Sequence, residues 1–360
     1  MGNNVLVVAN GAKAANSEVM SSRTVELHLV ELIRQKGSIA RYVMVAGKFA
    51  LAFLKLKQRP NIIHGHDPYG EGLAAVLVGK VLHVPVVITW HAAELVETTA
   101  AFSLLGNICR SFVLRNANRV IVNSDLFKRL ALSSINVSSL SSKTRIISPG
   151  VDVEEFNTKD QNSKLQDAIT VKKDFTVLSV CRLEKIKGLD TLLEAAPKVL
   201  KAVPNVKFIL VGSGSERKHL ESLCQKKGIH EQVIFVGNTP RSALPQYYSL
   251  CDLFVLPTRG EGFGMAYLEA WACGKPIVTT PYAPEIAKLV DTYGGGIVVN
   301  DNPDILADEI VGLLQNQSLR VTMGLVGRGV AAEHYSWKKT ASEHLEVYRE
   351  LCRTPVGGLN

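Results

Sequence analysis

Two parallel α/β domains joined by a polar linker are the fold class this sequence predicts, and three observations predict it. Short β-branched runs alternate with helix-length segments along the chain, the pattern of parallel strands connected by crossover helices. The series breaks once, at the polar stretch NTKDQNSKLQDAITVKK after Phe156, and then restarts. The chain's 360 residues, 46% of them hydrophobic, suffice for two full cores.

The first run, VLVVAN from Val5 to Asn10, reads as a buried strand and is too short for the core of a signal peptide. In TVELHLVELIRQKG, Val25, Leu29, Leu32 and Ile33 fall at helical spacing and Gly37 supplies a stop, so a helix is expected there. The runs YVMVAG, NIIHGH, PVVITW, RVIVNS and TRIISPG follow as strands. Between the first two of these lies an amphipathic helix from Lys48 to Arg59, with Phe49, Ala52, Phe53 and Leu56 on one face and Lys48, Lys55 and Arg59 on the other. That face pattern fits a core-to-water helix and also fits one lying on anionic lipid. Beyond the linker come FTVLSV, VKFILVG, VIFVGN, LFVLPT, PIVTT and GGIVV, each separated by a helix-length segment. The expected domains are therefore 1–156 and 157–334, both Rossmann-like, with ligands beyond the carboxyl ends of the strands.

Charge is unevenly spread. Residues 1–165 hold 19 Lys and Arg against 12 Asp and Glu, whereas residues 166–360 hold 22 against 21. A basic first half suits an anionic substrate or lipid surface, and equally a surface kept charged for solubility. Nucleic acid is not expected, because the basic residues are not interleaved with aromatics, which make up only 6% of the chain. The six cysteines are scattered, with no CxxC pair, which suits reduced thiols in a cytoplasmic protein. No apolar run approaches the roughly 18 residues of a membrane span. A cytoplasmic protein, soluble or peripheral to the inner face of a membrane, is expected.

The residues suited to chemistry follow strands. After FTVLSV comes CRLEKIKGLD, which brings Arg182 and Lys187 to a strand-to-helix turn. A guanidinium and an ammonium there can clamp a diphosphate, the first bidentately and the second as a point charge; both are also ordinary surface charges on a turn. After LFVLPT comes RGEGFGMAYLEAWACGKPIV, with Glu261 in the loop and Phe263, Gly264 and Met265 opening a helix that contains Glu269. Gly274 and Pro276 end that helix. Backbone N–H groups at a helix start suit phosphate or sugar oxygens. A carboxylate does not bind phosphate but accepts hydrogen bonds from hydroxyls. Glu261 and Glu269 therefore suit a sugar and a ribose on either side of a diphosphate, as in a nucleotide sugar; each also suits a solvated or capping role.

In the first half, HGHD (His64 to Asp67) and TWHAAE (Thr89 to Glu94, which holds His91) both end strands. His64 and His66, two apart, share a side of a strand. With Asp67 and His91 they suggest a hydrolase metal site, but such hydrolases are usually barrels and two separate sheets are expected here, so structural histidines are the favoured reading.

Arg182, Lys187 and the stretch EGFGMAYLEAWACGKPIV, with its Glu-x7-Glu spacing, resemble the donor domain of the group 1 retaining glycosyltransferases. Further matches are ISPGVDVEEF (Ile147 to Phe156), FILVGSGSE (Phe208 to Glu216) and APEI (Ala283 to Ile286), and the likeness covers roughly residues 60–352. The resemblance implies the GT-B fold, two Rossmann-like domains facing a cleft, with a C-terminal helix (335–360) that crosses back to complete the first domain. It implies that Arg182 and Lys187 neutralise the leaving diphosphate, that Glu261 contacts the donor sugar and Glu269 the ribose, and that Asn238 and Thr239 lie where the base binds. His91 would face the donor sugar. Retention of anomeric configuration is implied, by front-face attack and without a carboxylate nucleophile, unlike the two-carboxylate hydrolases. No metal and no cofactor is implied, the donor being a nucleotide sugar, a UDP-sugar favoured over a GDP-sugar. The acceptor would be a carbohydrate or a lipid-linked hydroxyl, with peripheral membrane contact through Lys48, Lys55 and Arg59.

The first domain departs from the family pattern at two points. The loop after the first strand, NGAKAANSEVMSSRT, has Gly11 as its only glycine where the family's loop approaches the donor phosphates, and the span before NIIHGH is short. Two other readings stand beside the transferase: a nucleotide-sugar epimerase or hydrolase on the same fold, and a non-catalytic partner protein that keeps the fold.

Overall fold

The computed structural model describes residues 5–10, 25–30, 47–48, 51, 59–91, 104–134, 139–157 and 175–353. The chain forms two compact units, one of residues 1–147 and 343–360, the other of residues 148–342. Residues 148–156 thus fall in the second unit, because Val151 and Phe156 are fully buried in its core.

In the first unit, β1 (Val5–Asn10) pairs in parallel with β2 (Val25–Val30), Val5 opposite Val25. The expected helix at Val25 is therefore a strand. Val25, Leu27 and Leu29 alternate with Glu26 and His28, so a period of two lies inside a stretch that also has helical spacing, and short apolar runs satisfy both periods. Four parallel strands follow in spatial order: β3 (Ile63–His66), β4 (Val86–Trp90), β5 (Arg119–Val122) and β6 (Thr144–Ile146). They alternate with α1 (Gly70–Leu82), α2 (Leu104–Asn116), α3 (Asp125–Ser134) and the short α4 (Leu140–Lys143). Strand β4 is buried at every position because both of its faces are covered. Val86, Ile88 and Trp90 pack with Val113 and Leu114 on one face. On the other face Val87 packs with Ile121, Ile147, Val347 and Leu351, the last two from the C-terminal helix, Trp337–Arg353. Residues 343–353 of that helix therefore supply the second layer of the first unit.

The basic amphipathic segment is described only in part. Lys48 and Leu51 are helical, Lys55 lies outside the described residues, and Arg59 is not helical. Arg59 is exposed, and its guanidinium donates to the carbonyl of Leu82. Among the described residues no helix is long and apolar enough to cross a membrane. All six cysteines are free; Cys224, Cys251 and Cys273 are buried, and Cys352 is exposed.

The second unit is a six-stranded parallel sheet: β7 (Phe175–Val180), β8 (Val206–Val211), β9 (Val233–Gly237), β10 (Leu253–Val255), β11 (Ile277–Thr279) and β12 (Gly296–Val298). The spatial order is β12-β11-β10-β7-β8-β9. The chain winds outward from β7 through β8 to β9, returns to place β10 beside β7, and winds outward the other way. The reversal between β7 and β10 is a topological switch point, where loops leave adjacent carboxyl ends in opposite directions and open a crevice. Helices α5 (Leu189–Ala202), α6 (Arg217–Lys227), α7 (Leu244–Leu250), α8 (Met265–Ala272), α9 (Pro284–Tyr293), α10 (Pro303–Gln315) and α11 (Gln317–His334) accompany the sheet. Its core runs through Phe208, Tyr248, Phe254, Tyr267 and Trp271, all fully buried. The ISPGVDVEEF stretch is fastened at Gly150 and Val151. A Cβ on Gly150 would lie 2.5 Å from the backbone nitrogen of Trp337, and Val151 N–H donates to the Tyr335 carbonyl at 2.7 Å.

Candidate functional site

The switch point of the second unit carries the charged residues singled out in the sequence. From the end of β7 the chain runs through Cys181 and Arg182 into a single 3₁₀ turn, Lys185–Lys187, before Gly188 opens α5. From β10, its neighbour, the chain runs through Pro257 to Glu261 and enters α8 at Gly264. The two loops meet: Lys187 Nζ donates to Glu261 Oε2 at 2.7 Å, with the side chains 13% and 19% exposed. Arg182 is exposed on the same turn. Burial pushes the Cys181 thiol up to about 12, opposed by Lys187 and Arg182 and reinforced by Glu261, so all three charges act on one thiol.

Gly264 caps α8 with φ 88°, and a Cβ there would lie 2.6 Å from the Tyr267 ring, so both backbone conformation and space call for glycine. Phe263 is buried, its ring centroid 5.6 Å from that of Tyr335, and Met265 begins the helix.

Glu269 lies one turn further along α8 and is only 4% exposed. It accepts from the Tyr248 hydroxyl at 2.9 Å and from Arg241 Nη1 at 3.2 Å. Burial raises its carboxyl above the ordinary range, and the Tyr248 and Arg241 contacts oppose the rise. The Arg241 guanidinium also stands 5.3 Å from the centroid of the Phe156 ring. Sequence reasoning missed both partners: Tyr248 reads as helix core, and Arg241 as one surface cation among 41 Lys and Arg. Asn238 and Thr239 follow the edge strand β9, two places from β7; Asn238 is exposed, and the Thr239 hydroxyl donates to the Gly237 carbonyl at 3.4 Å. Gly11 lies outside the described residues.

In the first unit, the histidines form a near-parallel row at the carboxyl ends of β3 and β4. Ring centroids are 5.0 Å apart for His64 and His66 and 5.4 Å for His66 and His91. His344, from the C-terminal helix, stacks on His64 at 5.8 Å. His66 Nδ1 and His91 Nε2 share a hydrogen bond of 3.1 Å. The backbone N–H of His91 donates to Asp67 Oδ1 at 3.2 Å, and its Nδ1 lies 3.3 Å from Asn123 Nδ2. His91 is exposed at the strand end. Among the described residues no group of three His, Cys, Asp or Glu is arranged to hold a metal ion.

His64 has both ring nitrogens engaged, with the Tyr348 hydroxyl at 2.5 Å and the Thr89 hydroxyl at 2.7 Å. Burial, followed by the neighbouring His66, His344 and His91, lowers its pKa from 6.5 to about 3. The unfolded chain therefore takes up a proton near pH 6.5 that the folded unit refuses until about pH 3. The stability that the neutral ring contributes is full above pH 6.5 and is lost as pH falls towards 3. Denaturant titrations of the wild type should show stability declining through that window, with a shallower decline in His64→Gln. Equal slopes in the two proteins would refute the assignment.

Comparison with known proteins follows the two-unit division. A family model described as "Glycosyl transferases group 1" matches residues 160–329, and one described as "Glycosyltransferase Family 4" matches residues 1–155. The chain is 31% identical over 261 residues to D-inositol 3-phosphate glycosyltransferase of Corynebacterium urealyticum, covering 70% of this chain and 61% of that protein. It is 28% identical over 316 residues to the Kribbella flavida protein of the same name, covering 82% and 72%. Among solved structures, sucrose-phosphate synthase from Thermosynechococcus elongatus superposes with a TM-score of 0.77 at 22% identity, over 97% of this chain and 89% of that one. Anabaena HepE, in complex with UDP and glucose, superposes with a TM-score of 0.74 at 20% identity, over 92% and 87%.

Proposed function

We propose, from the chain's membership of the group 1 glycosyl transferases and its GT-B fold, that it moves a sugar from a nucleoside diphosphate sugar to an acceptor hydroxyl with retention of configuration. The observation that carries this reading is the Lys187–Glu261 pair at the switch point of the donor-side sheet. It sets a cation for a leaving phosphate beside a carboxylate for sugar hydroxyls, where an α/β crevice receives its ligand.

The chemistry follows from the charges. The bond between the anomeric carbon and the phosphate oxygen breaks, and negative charge grows on the diphosphate. Arg182 and Lys187 stand where that charge develops, the principal electrostatic requirement of the step. The acceptor oxygen forms the new bond on the face the diphosphate leaves, and its proton passes to the departing phosphate oxygen. With the Arg182 guanidinium and the Lys187 ammonium facing the diphosphate, the step is proposed to run without a metal ion. Glu261 holds the sugar and Glu269 the ribose, Arg241 yielding one carboxylate lone pair to a ribose hydroxyl. Phe263, Gly264 and Met265 offer backbone N–H groups at the start of α8, and Asn238 and Thr239 flank the base. In the first unit, His91 binds the donor sugar or orients the acceptor.

A UDP-sugar is the donor proposed, a choice supported by the fold shared with the UDP-binding HepE. The acceptor proposed is a carbohydrate or lipid-linked hydroxyl, met in the cytoplasm or at the inner face of a membrane, with any lipid contact resting on Lys48, Lys55 and Arg59. The test is to offer UDP- and GDP-sugars with and without candidate acceptors and to follow nucleoside diphosphate release and the anomeric coupling of the product. Slow release that acceptor accelerates, giving an α-linked product from an α-linked donor, is expected. A β-linked product would overturn retention. Binding without any release would favour the non-catalytic partner protein.

A further inference from the structure

Lys187 and Glu261 lie 74 residues apart on separate loops, so their spacing depends on what ties the loops together. Arg259, two residues before Glu261, makes most of that tie. Its guanidinium forks onto Asp190, Nη1 to Oδ1 at 2.8 Å and Nη2 to Oδ2 at 3.0 Å. Nε donates to Asp301 Oδ2 at 2.7 Å, Nη2 to the Thr191 hydroxyl at 2.8 Å, and Nη1 to the Lys185 carbonyl at 3.3 Å. The backbone N–H of Arg259 donates to the Ile186 carbonyl at 2.7 Å, and the Thr258 hydroxyl donates to the same carbonyl at 3.0 Å. Apart from the bond to Asp301, every one of these contacts grips the turn that presents Lys187 or the first residues of α5. The planar fork of arginine fixes direction as well as distance, which a lysine ammonium does not.

We propose that Arg259, clasped between Asp190 and Asp301, is a positioning residue for sugar transfer: it sets the separation and angle of the Lys187 ammonium and the Glu261 carboxylate. The inference rests on the transferase reading above. Arg259 does not touch the donor in this account; it acts through Lys187. An ångström of misplacement at such a centre lowers a rate by about 100-fold, whereas the nucleoside end of the donor binds elsewhere in the crevice.

The experiment compares wild type, Arg259→Lys, Asp190→Asn, Lys187→Ala and the Arg259→Lys/Lys187→Ala double variant. The readouts are kcat and KM for the nucleotide sugar that the wild type turns over, together with thermal unfolding. Arg259→Lys and Asp190→Asn should each lower kcat by roughly 30- to 100-fold with KM within about threefold. In the double variant, Arg259→Lys should add almost nothing to the loss from Lys187→Ala, because a positioning group has no effect once the group it positions is gone. Losses that multiply in the double variant would overturn the proposal. So would unchanged kcat in both single clasp variants, or the failure of both to fold, which would make the clasp purely structural. No turnover of any nucleotide sugar by the wild type would sink the transferase reading itself, and this inference with it.

Discussion

Lys187→Ala should slow nucleoside diphosphate release by about 10²- to 10³-fold, the loss typical when one preorganised donor is removed from a developing negative charge. The ammonium sits 2.7 Å from Glu261, on a turn held against the neighbouring loop. Its removal deletes the point charge proposed to face the diphosphate and leaves Glu261 without its partner. Stability should change little by comparison. A partly exposed ion pair is worth about 0–1 kcal/mol, which corresponds to roughly 0–4 °C in the melting temperature of a unit this size. Glu261→Gln, which keeps size and removes charge, should weaken the grip on the sugar with Lys187 still in place. Stopped-flow or coupled-enzyme assays of both variants separate the roles. Near-wild-type release by Lys187→Ala would remove the residue from the mechanism.

Gly188→Ala should be among the most damaging small substitutions in the second unit. Gly188 has φ 67°, and a Cβ there would lie 1.9 Å from the carbonyl oxygen of Pro257 and 2.9 Å from its carbon. The left-handed conformation alone costs an alanine about 1–2 kcal/mol. The overlap is with backbone, so it is relieved only by parting the loops that carry Lys187 and Glu261. A total of about 3 kcal/mol or more is expected, or roughly 6–12 °C in melting temperature. Gly228 provides the control: its φ is 69°, but nothing lies within 4 Å of an added Cβ. Gly228→Ala should therefore show only the conformational part, about 1–2 kcal/mol. Gly188→Ala should also lose turnover in its folded fraction, because the turn that carries Lys187 moves. Equal stability losses in the two alanine variants would contradict the close approach seen at Pro257.

Much of this was legible in the sequence because strands of a parallel sheet are short, apolar and β-branched. The runs FTVLSV to GGIVV each became a strand, and the residues just beyond two of them became the switch-point pair. What stayed hidden shares one physical cause, contacts without a local signature. Arg259 and Asp190 are 69 residues apart, Arg241 and Glu269 are 28 apart, and His64 and Tyr348 are 284 apart. Each reads along the chain as an ordinary polar or aromatic residue. Strand β2 is hidden for a different reason, since VELHLV satisfies two periodicities and only its pairing with β1 decides between them.

Calorimetric titration of UDP-sugars and GDP-sugars into the wild-type protein and into Arg182→Ala, with thermal shift in parallel, decides whether the second unit binds a nucleotide sugar. A donor present at a hundred times its Kd should add about 2.7 kcal/mol of stability. Binding and a clear shift with one such donor are expected, both weakened in Arg182→Ala. No heat and no shift with any nucleotide sugar would contradict the transferase reading.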